Sequence, residues 1–140
     1  MKTLKLLAAL LALVLASSPA LAFCDKAGVV AVSNSAVGTT GATTATLPAA
    51  AGKRTYLCGF SIRANATAAA TGNATATGVL GGTLNFTQFT APLASDLGIV
   101  EPRIGPTCLV SADINTAIVV TSAAPGAGGT VSVSAWGCQL

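Results

Sequence analysis

Histidine is absent from this 140-residue chain, and its absence removes the ordinary Ser-His and Cys-His arrangements of nucleophilic catalysis. Charge is nearly as scarce, with seven Lys or Arg and four Asp or Glu in all. Two of the cations, Lys2 and Lys5, fall in the first 22 residues. Beyond them Lys26, Lys53, Arg54, Arg63 and Arg103 stand against Asp25, Asp96, Glu101 and Asp113, which is close to neutrality. No basic face is left to neutralise phosphates, and the few aromatics do not interleave with cations, so nucleic acid is not an expected partner. Low charge together with 52% hydrophobic residues is also the reverse of a disordered composition.

A long apolar run is missing too. The longest, Leu6 to Ala16, is short of the roughly 20 residues that span a bilayer, so no transmembrane anchor is expected. Flanked by Lys2 and Lys5 on one side and by Ser17-Ser18-Pro19-Ala20-Leu21-Ala22 on the other, that run has the three-part plan of a secretory signal peptide with an A-x-A cleavage site. The reading is a helical signal peptide over 1–22, one domain over 23–140, and a secreted or periplasmic product. A lipoprotein signal would need a small residue before Cys24, and the sequence places Phe23 there.

What is plentiful is Ala, Thr, Gly, Ser and Val, and the Val, Ile and Thr segments have strand composition. Alternating runs recur between turn signals: 27–35, 41–49, 54–64, 73–80, 83–90, 97–100 and the pair "NTAIVVTS" and "GTVSVSAWGCQL". Gly81-Gly82 reads as a hairpin turn, and "AAPGAGG" as the turn of a closing hairpin. In "RTYLCGFSIRA" alternation sets Tyr56, Cys58, Phe60 and Ile62 on one face and Thr55, Leu57, Gly59, Ser61 and Arg63 on the other. About seven to nine short strands imply an all-β fold, a single antiparallel β-sandwich of jelly-roll or immunoglobulin-like topology.

Four cysteines, Cys24, Cys58, Cys108 and Cys138, allow three pairings. Cys24 and Cys138 lie beside the two ends of the domain, while Cys58 sits within a strand and Cys108 after a Gly-Pro turn. The expected disulfides are therefore Cys58 with Cys108 and Cys24 with Cys138. Zinc usually takes close cysteine pairs or histidine, so no metal and no cofactor are expected.

The acids offer little for catalysis. Asp96 in "ASDLG" and Asp113 in "SADIN" are placed as loop residues that bond their own backbone, and with Glu101 they form no D-x-D pattern for calcium. An enzyme is not expected, and a small hydrolase using these acids is the least favoured reading. Carbohydrate is a possible partner through exposed aromatics. Trp136 is out of register with the inward set Val131, Val133 and Ala135, so it either faces solvent or, by the favoured reading, is turned in beside Cys138 by a bulge near Gly137. Phe89 is out of phase with Leu84 and Phe86 and is a second candidate contact residue. Three triplets at Asn65, Asn73 and Asn85 match the N-glycosylation acceptor and are left unassigned.

The stretches "NATATGVLGGTLNFTQF" and "NTAIVVTSAAPGAGGTVSVSAWG" carry no charge. Strand edges are ordinarily guarded by Lys, inward charges or Pro, so unguarded ones point to self-association or another protein surface. The reading is a non-catalytic structural or interaction module. The segments "GKRTYLCGFSIRA", "GTLNFTQFTAP" and "NTAIVVTSAAPGAGGTVSVSAWGCQL" resemble short uncharacterised exported or phage-associated proteins of proteobacteria, with Cys138 where that group has an aromatic residue. The resemblance implies a small β-sandwich at a particle surface or the cell exterior, and no catalytic residue.

Overall fold

The computed structural model describes residues 23–92, 99–102, 104 and 107–140. The segment read as a signal peptide, together with Asp96 and Arg103, lies outside the described residues. A short 3-10 turn, Phe23–Asp25, precedes nine strands: β1 (Val30–Gly38), β2 (Thr44–Leu47), β3 (Thr55–Ala66), β4 (Ala70–Val79), β5 (Gly82–Pro92), β6 (Ile99–Val100), β7 (Leu109–Val110), β8 (Ile118–Thr121) and β9 (Thr130–Gln139).

The all-β expectation holds, but the ladders link the strands into one sheet in the order β1-β9-β3-β5-β4-β8-β2, with β6 and β7 also paired to β3. The end strands β1 and β2 come together without pairing, so the sheet is nearly closed into a barrel. Its two halves, β1-β9-β3 and β5-β4-β8-β2, join where β3 and β5 pair parallel at Asn65 with Ala91 and Ala66 with Pro92. All other ladders are antiparallel.

The interior is filled by small and branched side chains that follow strand alternation. Ala45 and Leu47 of β2, Ala74 and Ala76 of β4, Ile118 and Val120 of β8, and Val131, Val133 and Ala135 of β9 are buried with Phe60 and Ile62 of β3. Phe86 of β5 meets the edge of Phe60 at a ring separation of 5.0 Å, an arrangement aromatic quadrupoles favour.

Three expectations are corrected. β8 and β9 do not form a hairpin, since β8 pairs with β2 and β4 while β9 pairs with β1 and β3. The Gly- and Pro-rich link between them instead crosses from one half of the sheet to the other. Alternation in β3 also breaks, because the register against β9 shifts between Leu57 and Gly59. Cys58 is the extra residue of a bulge, and such a residue reverses the facing of the chain before it. Leu57 therefore joins Phe60 and Ile62 in the core, while Cys58 stays partly exposed. Finally, β4, β8 and β9 each have neighbours on both sides, so most of the uncharged sequence lies on sheet faces rather than at edges.

Candidate functional site

Two outward surfaces carry the residues of interest. On the β2-β8-β4-β5 half, Ala45, Leu47, Ala74, Ala76, Ile118 and Val120 point inward, which by strand alternation turns Thr44, Thr46, Thr71, Asn73, Thr75, Thr77 and Thr121 outward. On β5 the outward set is Thr83, Asn85, Thr87 and Phe89, between the more buried Leu84, Phe86, Gln88 and Thr90. Cross-strand register lines them up, with Thr44 opposite Thr121, Thr121 opposite Thr75, Thr75 opposite Asn85, and Thr71 opposite Phe89. The result is a charge-free array of hydroxyl and amide groups, interrupted by Val119 between Thr46 and Thr77 and spaced about 7 Å along each strand and about 4.8 Å between strands. Phe89, 57% exposed, stands at one end of it.

The β1-β9-β3 half carries the other surface. Ser33 of β1, Trp136 of β9 and Gly59 of β3 lie in one cross-strand row, and Ser35, Ser134 and Ser61 in the next. Ser35 donates to Ser134 across it, or accepts from it, at 2.9 Å. Trp136 is 44% exposed and faces out, in keeping with its register against Val131, Val133 and Ala135. The inward turn favoured from the sequence does not occur, because the bulge sits in the partner strand at Cys58 and leaves β9 regular to its end. A Cβ built at Gly59 would lie 2.5 Å from Cζ2 and 2.9 Å from Nε1 of Trp136, so the indole occupies the space that a side chain would take. Strand alternation alone, without the bulge read near Gly137, sets this ring outward, and the glycine in mid-strand was the signal for its partner.

Beside this row the four cysteines meet. Cys24 is bonded to Cys138 and Cys58 to Cys108, with Cα atoms 5.6 and 4.2 Å apart. None of the four is free, which is the chemistry of an oxidising compartment. Cys138 has the same facing as Trp136, two residues along β9, and the bulge lifts Cys58 to that surface. The Sγ atoms of Cys24, Cys58 and Cys108 all lie within 4.8 Å of one another. Their closeness was not legible from spacings of 30 residues and more.

Glu101 and Asp113 serve local structure. Glu101 accepts a hydrogen bond from Ser61 at 2.9 Å and lies 3.7 Å from Arg63. Asp113 accepts from the Ile114 amide at 2.7 Å and lies 3.7 Å from Arg54. Arg54 and Ser61 are seven residues apart along an extended strand, roughly 23 Å, so the two acids are not brought together. Among the described residues no helix is long and apolar enough to cross a membrane.

Comparison with protein-family models, with curated proteins and with solved structures gives no match.

Proposed function

We propose that the chain is an exported, non-catalytic attachment or assembly module, folded as a flattened barrel of sandwich type, that binds through its uncharged outer surface. The observation that carries this reading is the four-strand array of Thr and Asn ending in Phe89, which presents many hydrogen-bonding groups in register without one charge. Such a face forms contacts without desolvating ions, and desolvation of charge is what makes ordinary surfaces resist association. The partner is a second copy of the chain or another protein surface. Export accords with the leader-like first 22 residues and with the two bridges, and the resemblance to phage-associated proteins accords with a surface role.

A second reading, carbohydrate binding, is favoured by one specific observation: Trp136 rests half-exposed on the backbone of Gly59, next to a row of three serines. Sugar rings stack on such a platform through their C–H faces.

Light scattering across a wide concentration range tests the first reading. Asn85→Lys and Thr44→Lys place single charges at two points of the array and are expected to abolish self-association, while Trp136→Ala leaves it unchanged. A chain that stays monomeric at high concentration, and that captures no protein from its own exterior fraction in an Asn85-dependent way, overturns it. Loss of polysaccharide retention in Trp136→Ala alone would select the second.

A further inference from the structure

The two disulfides are not separate staples. The Cys24 and Cys58 sulfurs, which belong to different bridges, approach to 3.2 Å. Both are disulfide sulfurs and neither carries a hydrogen, so the approach is a direct sulfur contact, at the separation from which a thiolate attacks a neighbouring atom. The surroundings of the four atoms are unequal. Cys138 is fully buried, whereas Cys24, Cys58 and Cys108 are partly exposed, so an external thiol reaches the Cys58–Cys108 bridge more readily than the Cys138 side of the other.

We propose that the four cysteines form a single thiol–disulfide exchange site, at which a small dithiol moves the pairing to Cys24–Cys58 and releases Cys108 and Cys138 as thiols. One thiolate of the dithiol attacks Cys108 Sγ, forming a mixed disulfide and expelling Cys58 as thiolate. Cys58 Sγ attacks Cys24 Sγ, forming the Cys24–Cys58 bond and expelling Cys138 as thiolate, which takes up a proton. The second sulfur of the dithiol then displaces Cys108, which is protonated in turn, and leaves as a cyclic disulfide. Two electrons and two protons pass from the dithiol to the protein, and one protein disulfide remains.

The bulge at Cys58 is what makes this possible. A regular β3 would alternate Cys58 to the face opposite Gly59 and Trp136, whereas the extra residue brings its sulfur to the outer surface, where Cys24 is tied to the end of β9. After exchange the N-terminal segment is fastened to β3 instead of β9, and the chain entering β7 is no longer fastened at Cys108. The site thus converts a reducing signal into a changed set of tethers while one crosslink persists.

The test uses the native chain, treated with one equivalent of dithiothreitol, quenched in acid, alkylated with N-ethylmaleimide and digested without further reduction. The expected result is a peptide pair joining Cys24 to Cys58, with the alkyl groups on Cys108 and Cys138. Half-reduced chains that carry only Cys24–Cys138 or only Cys58–Cys108 would overturn the proposal. As an independent measurement, the folded Cys108→Ala/Cys138→Ala variant is exposed to oxidised glutathione and its thiols are counted. Loss of both thiols into an intramolecular bond supports exchange, and two persistent free thiols in the folded variant contradict it.

Discussion

The indole of Trp136 lies against Gly59, the residue opposite it on β3, in the space a side chain there would fill. The pair couples a mid-strand glycine to the exposure of the only tryptophan in the chain. Gly59→Ala forces the ring away, since the added Cβ falls 2.7 Å from Cε2 as well as 2.5 Å from Cζ2. The ring is already half in solvent and is free to move outward, and alanine in a strand loses less backbone freedom than glycine. Stability is expected to change by less than about 1 kcal/mol, while tryptophan emission moves to longer wavelength and its quenching by iodide rises. Unchanged emission in a folded Gly59→Ala protein would show that the ring does not rest there.

Gln88 is the one large amide held inside β5, fully buried, and both of its polar atoms go to a single residue of the link that follows β8. Its Oε1 accepts from the Ala123 amide at 2.8 Å and its Nε2 donates to the Ala123 carbonyl at 3.4 Å. Gln88→Leu keeps the volume but leaves both backbone groups without their partner in a partly buried setting, a loss of about 1–3 kcal/mol. Urea denaturation should show that drop in midpoint with an unchanged slope. A neutral effect would mean that water replaces the amide without cost.

How far the sequence leads depends on whether a feature is written in local residue chemistry. The hairpin between β4 and β5 was legible from Gly81-Gly82, whose φ values of 97° and 95° glycine alone adopts freely, but its turn falls one residue earlier than read, at Leu80-Gly81, with Gly82 opening β5 opposite Val79. The outward setting of Phe89 was legible from strand period. The bulge at Cys58 was not, because one extra residue leaves the composition of a strand intact and only mid-strand Gly59 hints at it. The crossing between β8 and β9 was misread as a turn, since Gly- and Pro-rich sequence suits either. The Thr and Asn array was hidden for another reason: it exists only once β2, β8, β4 and β5, of which only β4 and β5 are consecutive in the chain, lie side by side.

The two bridges close sequence intervals of 114 and 50 residues. On the chain-entropy argument their removal frees the unfolded state by about 5 and about 4 kcal/mol respectively. Cys24→Ala/Cys138→Ala is therefore expected to melt lower than Cys58→Ala/Cys108→Ala, both well below the parent. Calorimetry at fixed pH checks the order, and equal melting for all three proteins would contradict the crosslinks.

Arg54 holds the start of β3 to two other parts of the chain, and the balance of its contacts predicts how salt acts on it. Its backbone exchanges hydrogen bonds with Leu140, at 2.8 and 3.1 Å. Its guanidinium donates to the Ser111 carbonyl at 2.9 Å and to the Ala112 carbonyl at 3.4 Å, while Asp113 stands 3.7 Å away with three-quarters of its side chain in water. An exposed ion pair at that distance is worth at most about 1 kcal/mol and is screened by salt. Charged donors to neutral carbonyls contribute about 1.5–3 kcal/mol and are not ion pairs at all. Arg54→Ala should therefore cost about 2 kcal/mol, nearly the same in 0.1 M and 1 M sodium chloride. Arg54→Lys, which keeps the charge but loses the planar fork, should recover only part of it. If the cost of Arg54→Ala vanished at high salt, the carboxylate rather than the carbonyls would be the principal partner.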